Sequence, residues 1–396
     1  MDELQKTIYN AALEEEEGVK QVRRHLHQHP ELSFQEEKTA AYICSRLEQL
    51  GIRYQKQIGG TDGILACLGP STAEKAVLLR ADMDALPIEE QTGAPYASQN
   101  PGVMHACGHD AHTAILLGVC RVLKKLEKQL PVAVKLAFQP GEETDGGAAP
   151  MIAAGVLNDP NVLACAALHM DPDLECGKIT VKNGPLYASP DEFDLTIYGA
   201  GGHGAQPHLC TDPIMIAAEV IQSLQTIVSR KTDPFLPAVV SVCSMHAGNA
   251  TNIIPDTAFL SGTARAMTQD MRDFLEKEIA GIVSAVCKRY GAEYDFQFRK
   301  MFPPLINDNA TAKRLHASAK RYLSPDNAIW GGASTMAGED FAYFAQAVPS
   351  ALFKLGCRNE KKGIVSPLHS PKFDIDETCL KYGIMIFSDF ALRYSA

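Results

Sequence analysis

The sequence has little positive charge, no long apolar run and no paired cysteine motif, and each shortage excludes a class of protein. It has 37 lysines and arginines against 47 aspartates and glutamates, a formal net charge of -10. Nucleic acids and anionic membranes bind clustered basic side chains, so neither is an expected partner. No apolar run is long enough for a transmembrane helix, and the acidic opening MDELQKTIYNAALEEEEGVK is unlike a signal peptide. We therefore expect a cytoplasmic protein whose partner is a small molecule.

Eleven cysteines are present, but no two of them form a Cys-x-x-Cys motif. An odd number of cysteines spread through apolar stretches is a poor disulfide framework. We expect reduced, buried thiols, with Cys107 as the candidate exception. A thiol redox protein is disfavoured for the same reason.

The first half of the chain alternates between strand-like and helix-like segments. KAVLLRADMDALP and PVAVKLAFQPGEE are apolar runs that end in acidic residues, and TAILLGVCRVLKKLEKQL between them has helical periodicity. This alternation predicts an α/β fold whose central, mostly parallel sheet is flanked by helices. Functional groups are then expected at the carboxyl ends of the strands.

The pattern changes at about residue 190. DEFDLTIYG, DPIMIAAEVIQSLQTIVSRK, AVVSVCSMHAG, TAFLSGTARA, MRDFLEKEIAGIVSAVCKRYG and AEYDFQFRK follow in the order strand, helix, strand, strand, helix, strand. That order is typical of a ferredoxin-like α+β module. We therefore predict a catalytic domain formed by residues 1–189 and 302–396, with an inserted domain at 190–301.

Metal-binding residue types are concentrated in MHACGHDAHT. Cys107 and His109 are two residues apart, so in an extended segment both side chains would face a shared cation such as Zn²⁺. Asp110 could cap the helix that begins near Ala111, or orient a ligand histidine.

A second cluster, FQPGEET, presents Glu142 and Glu143 side by side after a buried strand. Adjacent carboxylates on a turn diverge, so one could bind metal while the other acts as general base. The alternative is that both acids only cap the following helix.

Two more histidines complete the candidate set. His169 ends the apolar run ACAALHM, and His369 lies in SPLHSPKF between two prolines. Either could be structural. Together with Cys107, His109 and Glu143 they make five ligands, too many for one hydrolytic zinc but suitable for two metals that share a ligand.

Ten motifs in order give the chain a family resemblance from about Arg23 onwards. They are RRHLHQHPELSFQE, LLRADMDALPIEE, MHACGHDAHTA, FQPGEE, ALHM, GAGGHGAQPH, TNIIPD, GTAR, GEDFAYF and PLHSPKF. The chain resembles the amidohydrolases that include hippurate hydrolase, auxin-conjugate hydrolases and N-acetyldiaminopimelate deacetylase. These are a branch of the aminoacylase and glutamate-carboxypeptidase metallopeptidases. One departure is Gly141, where the family usually has alanine.

The resemblance implies a zinc-peptidase-like catalytic domain, a ferredoxin-like lid through which two chains form a homodimer, and a site for two divalent metal ions. The metal ligands it implies, with Cys107 bridging, are Cys107, His109, Glu143, His169 and His369. It implies Glu142 as the general base and His203 as the residue that stabilises the oxyanion. Zn²⁺, Mn²⁺, Co²⁺ and Ni²⁺ all suit such ligands.

Several other residues are candidates for orienting the metal ligands or for contacting the substrate. Asp82 and Asp84 are expected to orient metal ligands rather than to bind metal. Asn252, Arg265 and His112 are candidate substrate contacts. Arg265 could instead form a salt bridge within the lid, and His112 could instead support a ligand.

The sequence thus predicts a metal-dependent amidohydrolase that cleaves N-acyl amino acids to a carboxylate and a free amino acid. An alternative is a dipeptidase or carboxypeptidase with the same binuclear site. A catalytically silent binding protein is a third possibility, against which the presence of Glu142 argues.

Overall fold

The computed structural model describes residues 1–70 and 72–394. The chain forms two compact units. The first contains Met1–Gly184, Ile306–Ala333 and Tyr343–Ala396, and the second contains Pro185–Leu305 and Ser334–Ala342. No helix formed by the described residues combines the length and hydrophobicity needed to span a lipid bilayer.

An eight-stranded mixed sheet forms the centre of the first unit, in the order β1-β2-β4-β3-β5-β16-β6-β15. Its strands are β1 (Arg53–Ile58), β2 (Gly63–Leu68), β3 (Lys75–Asp82), β4 (Ala133–Gln139), β5 (Asn161–Glu175), β6 (Ile179–Val181), β15 (Ala328–Trp330) and β16 (Ser350–Arg358). The four central strands β4, β3, β5 and β16 run parallel to one another, whereas β1 with β2, β2 with β4, and β16 with β6 form antiparallel pairs. This is the α/β sheet that the sequence predicts.

The described residues of the first unit also form seven helices. They are α1 (Glu3–Gln28), α2 (Glu37–Gln49), α3 (His109–Lys125), α4 (Ala148–Ala153), α7 (Asn309–Tyr322), α8 (Ala342–Ala347) and α9 (Leu380–Leu392). Of these, α2, α3 and α7 contact the sheet directly. Strand β4 is buried along its whole length, and β3 is buried from its second residue onwards, as expected for largely apolar strands of a sheet covered on both faces. α3, which has the predicted helical period, packs against both α1 and α9. One apolar core therefore joins sheet and helices.

The second unit is a four-stranded antiparallel sheet in the order β10-β12-β8-β13, packed with two helices. Its elements are β8 (Ser189–Tyr198), β9 (Gly202–His203), α5 (Pro213–Thr226), β10 (Ala238–Ala247), β11 (Ile253–Ile254), β12 (Thr257–Ala266), α6 (Gln269–Arg289) and β13 (Glu293–Arg299). The chain order of the four main strands and two helices is the predicted ferredoxin-like order. A separate apolar core, with Leu195 and Leu260 fully buried, holds this unit together.

The remaining elements are short. Strands β7 (Gly184–Tyr187) and β14 (Leu305–Asn307) lie where the chain passes from one unit to the other. Single helical turns occur at Glu127–Gln129, Pro207–Leu209, Ile227–Lys231, Glu360–Lys362 and Glu377–Cys379.

Candidate metal centre

The candidate ligands of the first unit gather at the carboxyl ends of β3 and β4. His169 was expected at the end of its strand, but β5 continues to Glu175, so the histidine lies inside it. The register explains the difference, because Arg80 of β3 pairs with Ala167 of β5. His169 is therefore level with the end of β3, and β5 extends beyond its neighbour.

Cys107 and His109 were expected on an extended segment, but they do not lie on one. His109 is the first residue of α3, and Gly108 before it has a positive φ of 87°. A β-carbon at Gly108 would lie 2.9 Å from Cγ of Met170, so a side chain there would need both a strained backbone and a shift of its neighbour. This left-handed residue brings the thiol and the imidazole to one site.

The paired acids lie in a turn after β4 rather than in a helix cap. The helix that follows, α4, has Gly147 as its N-cap and no side-chain capping bond. The backbone N–H of Glu143 donates to Oδ2 of Asp84 over 2.9 Å. The alternative in which the acids merely cap a helix is therefore wrong.

Several overlapping groups of donor atoms occur here, three of which contain two or more of the nominated ligands, and the atoms of each group lie within 4.8 Å of one another. Cys107, His109 and His169 form the first group, Cys107, Glu143 and His369 the second, and His109, Glu142 and Glu143 the third. Cys107 is shared between the first two groups. All five residues that the sequence nominates as ligands, and the nominated base, are thus brought together.

His369 differs from the other members because it is reached by solvent. Its side chain is 52% exposed, whereas that of His109 is fully buried. His369 has a positive φ of 62°, and its N–H donates to the Ala106 carbonyl over 2.8 Å. Its Nε2 lies 3.5 Å from Oε1 of Glu143. The loop therefore presents one imidazole from the open side of the cluster.

Two atoms at the centre show that the cluster fits a cation. His109 Nε2 and Glu143 Oε1 are buried and have no hydrogen-bond partner among the described residues, and they lie 3.8 Å apart. Leaving a polar atom buried and unpaired costs about 1–3 kcal/mol. A divalent cation between these atoms would satisfy both, with nitrogen and oxygen donors of suitable chemistry.

Burial shifts the pKa of the Cys107 thiol and the pKa of the His169 imidazole in opposite directions. Burial, reinforced by the charge of Glu143, raises the pKa of the Cys107 thiol well above its usual range. Burial, followed by the neighbouring His112, lowers the pKa of His169. His169 is therefore a neutral imidazole, suited to metal binding, while Cys107 needs a cation beside it to be a thiolate.

Asp84 forms hydrogen bonds with His109, Glu143 and Ser33. Its carbonyl and Oδ1 lie 3.0 Å and 3.1 Å from Nδ1 of His109. These contacts place a proton on Nδ1 and leave the lone pair of Nε2 as the metal-binding atom. Its Oδ2 accepts from Ser33 as well as from Glu143. The predicted orienting role of Asp84 agrees with these contacts.

Asp82 orients a ligand less directly, through His112. Nδ1 of His112 lies 2.5 Å from Asp82 Oδ1, and Arg80 donates to the other oxygen over 2.6 Å. Nε2 of His112 accepts the backbone N–H of Met170, whose carbonyl in turn accepts from Nδ1 of His169. His112 is buried with both ring nitrogens engaged. This geometry favours the supporting interpretation of His112 over the substrate contact.

Asp110 does not touch the centre. Its Oδ2 accepts from Nε of Arg23 at 2.7 Å and lies 2.7 Å from Nδ1 of His27, and Oδ1 accepts the Ala111 N–H. It thus ties the first turn of α3 to α1 through an ion pair; the capping role expected for Asp110 is wrong, because the N-cap of α3 is Gly108 and no side chain among the described residues caps this helix.

The second unit contains the other predicted residues. His203, in β9, is exposed, and its Nδ1 accepts the Ala205 N–H over 3.0 Å. The Asn252 carbonyl accepts the Gly204 N–H, so His203 and Asn252 lie in one small ribbon. Arg265, in β12, forms no ion pair with any residue that the structure describes. The salt-bridge alternative for Arg265 is not realised within that part of the chain.

Glu36 also lies in this region, although the sequence does not indicate it as a site residue. It is fully buried, and its Oε1 accepts the Gly141 N–H over 2.9 Å, directly before the paired acids. Burial, with the charge of Asp84, raises its pKa to about 8. Only its position in the motif PELSFQE offered a signal, since an acid in a polar segment looks exposed.

The family model for peptidase family M20/M25/M40 matches residues 78–393. The chain belongs to this family. The M20 assignment confirms the resemblance seen in the sequence and makes the protein a hydrolase of amide bonds.

Three similar proteins agree with the M20 assignment. Thermostable carboxypeptidase 1 of Saccharolobus solfataricus is 36% identical, over 100% of this chain and 100% of that protein. The N-acetyl-L-cysteine deacetylase of Bacillus subtilis is 38% identical, over 91% of this chain and 84% of that protein. The crystal structure of the Bacillus subtilis YXEP protein, a dinuclear metal binding peptidase from the M20 family, matches with a TM-score of 0.83 and 33% identity, over 95% and 97% of the chains. Family and neighbour point to divalent metal ions as the cofactor.

Proposed function

We propose that this M20 hydrolase cleaves N-acyl amino acids with two divalent cations, Zn²⁺, Mn²⁺, Co²⁺ or Ni²⁺, bound in the first unit. The ligands would be Cys107, His109, Glu143, His169 and His369. The observation that carries the proposal is the sharing of Cys107 between two donor groups of three residues each. A thiolate that bridges two cations would give each of them three protein ligands or fewer, and would leave positions open for water and substrate.

Glu142 would be the general base and Glu143 the ligand. Glu143 shares one donor group with Cys107 and His369 and another with His109, whereas Glu142 shares no group with Cys107, His169 or His369, and its Oε2 is 4.0 Å from Nε2 of His109. When bound, the cations polarise the amide carbonyl and acidify the attacking water. Glu142 would accept the proton of that water and pass it to the leaving amine nitrogen.

The second unit would supply the groups that meet the substrate. Because Nδ1 of His203 accepts a backbone N–H, a neutral ring carries its proton on Nε2, which is then a donor for an oxyanion. Arg265, which has no ion-pair partner in the described chain, would bind the substrate carboxylate, and Asn252 lies in the same ribbon as His203. We further propose that the unit pairs two chains as a homodimer.

The N-acyl amino acid and the carboxypeptidase substrate differ at the acyl side. One has a neutral acyl group, and a dipeptide has a charged amine near the cations. Two relatives bear names of the two classes, N-acetyl-L-cysteine deacetylase and carboxypeptidase. The cations repel the protonated amine of a dipeptide, and this repulsion favours a substrate with a neutral acyl group.

The test is a panel of N-acetyl and N-benzoyl amino acids and the matching glycyl dipeptides, each assayed with the four metals in turn. We expect kcat/KM for the acyl compounds to exceed that of the dipeptides with the same C-terminal residue. The opposite order across the panel would assign the protein to the peptidase class. No turnover of either series by metal-loaded protein would contradict both.

A further inference from the structure

Three cysteines from three separate segments converge away from the metal centre. Cys176 follows the end of β5, Cys357 lies in β16, and Cys379 directly precedes α9. The N–H of Cys176 donates to the Arg358 carbonyl, and the Cys357 carbonyl accepts the Asp376 N–H, both over 2.9 Å. Backbone bonds thus fix the three segments side by side.

Side-chain contacts bring two of these thiols together. Sγ of Cys176 lies 3.2 Å from Oγ1 of Thr378, the residue before Cys379, and 3.8 Å from the Asp376 carbonyl. A hydrogen bond from Cys379, together with the Thr378 contact, lowers the pKa of Cys176 below its usual value, although burial opposes this shift. Burial raises the pKa of Cys379 well above it. One thiol is thus prepared to ionise while its neighbour keeps its proton.

The two thiols also differ in access. Cys176 is half-buried in a turn with Gly177, whose φ is 87°, whereas Cys379 is fully buried. A reagent from solvent meets Cys176 first.

We propose that Cys176 and Cys379 form an oxidisable pair, a modification site that reacts with hydrogen peroxide. The Cys176 thiolate attacks one peroxide oxygen, and the O–O bond breaks to give a sulfenic acid and hydroxide, which takes up a proton to become water. The Cys379 sulfur then attacks the sulfenic sulfur, and the S–O bond breaks. The departing hydroxide takes the Cys379 proton and leaves as water. Two thiols and one peroxide thus become one disulfide and two waters.

The experiment treats the metal-loaded enzyme with hydrogen peroxide, blocks the remaining thiols, and maps peptides without reduction. Cleavage after lysine and after glutamate separates Cys176, in CGK, from Cys165 on the same strand and releases Cys379 in TCLK. We expect a linked CGK–TCLK product. We also expect Cys176 to be consumed on the order of tenfold faster than Cys243, an exposed cysteine of the second unit.

Two serine variants test the order of the steps. In Cys379→Ser, peroxide should leave a sulfenic acid on Cys176 that dimedone traps, and dimedone should label little of Cys176 in the wild type. Cys243→Ser is the matched control and should still give the linked product. Absence of that product, a bond to Cys357 instead, or oxidation of Cys176 no faster than of Cys243 would each overturn the proposal.

Discussion

The backbone N–H of Met170 donates a hydrogen bond to Nε2 of His112 over 2.9 Å. Met170 follows His169 and also accepts the proton of its ring. His112 itself is held by Asp82, which Arg80 contacts from the other side. A chain of buried hydrogen bonds therefore runs from Arg80 to a proposed metal ligand and fixes its tautomer.

The first prediction follows from this chain. His112→Ala should weaken metal binding about 10- to 100-fold, because the Met170 peptide that orients His169 loses its anchor. Competition with a chelator measures the affinity without an activity assay. His316→Ala, which removes a histidine of α7, is the control and should leave the affinity unchanged. Equal affinities for the wild type and His112→Ala would refute the anchoring role.

The second prediction separates the paired acids. Glu142→Gln should keep both metals and lose most of its turnover, about 10²-fold or more, because the base is not a ligand. Glu143→Gln should lose metal, since one of its oxygens is the buried atom facing His109. Elemental analysis after gel filtration, paired with an activity assay, checks both. The reverse pattern would exchange the two roles.

The third prediction concerns the pH dependence of stability. The pKa of Glu36 is raised to about 8 from an ordinary 4.5, so between these values the folded protein retains a proton that the unfolded chain has lost. Stability therefore falls as the pH rises through this window, by at most about 1.4 kcal/mol per pH unit from this group. Glu36→Gln keeps an acceptor for the Gly141 N–H and removes the ionisation. Relative to wild type, it should become more stable from pH 5 to pH 8.

Urea unfolding at each pH gives the free energies of unfolding for this comparison. Glu37→Gln, at the exposed next position, is the matched control and should show no such trend. A constant difference between Glu36→Gln and wild type across the window would mean that Glu36 is not a protonated buried acid.

The fourth prediction is that His203 serves the site of the other chain in the proposed dimer. His203→Ala and Glu142→Ala, each inactive alone, are mixed after dissociation and reassociation. In a mixed dimer, the His203→Ala chain keeps its own Glu142 and receives His203 from its partner. About half of the dimers are mixed and each has one competent site, so activity should recover to roughly a quarter of wild type. No recovery, despite proven subunit exchange, would place His203 in its own chain's site or outside catalysis.

Long periodic segments made most of the fold predictable. The apolar runs of β3 and β4 and the 3.6-residue period of α3 fix an α/β sheet, and the alternating strands of the second unit fix the ferredoxin-like order. The position of His169 was predicted less well, because an apolar run shows where burial ends and not where strand pairing ends. The extended segment expected for Cys107 and His109 is not formed. The sequence could not show this, because a positive φ at Gly108 cannot be recognised there except by the presence of the glycine.

The candidate ligands and the orienting roles of Asp82 and Asp84 could be nominated from residue type and motif, but the contacts through which other residues support the ligands could not. His112 acts on His169 through the backbone of Met170, and a backbone contact has no sequence signature. Glu36 is distant in sequence from the acids whose turn it holds. Both cases depend on burial, which converts ordinary polar residues into fixed partners.

Gly141 connects the site to the evolution of the family. Its φ is 68°, and a β-carbon there would lie 2.5 Å from the ring of Phe34. Alanine, usual at this position in the family that the sequence resembles, would therefore displace that ring or reshape the turn. The two positions form one steric unit, so substitutions at them should be inherited together. Relatives with alanine at the turn are therefore expected to differ from this chain in the position of the loop that carries Phe34.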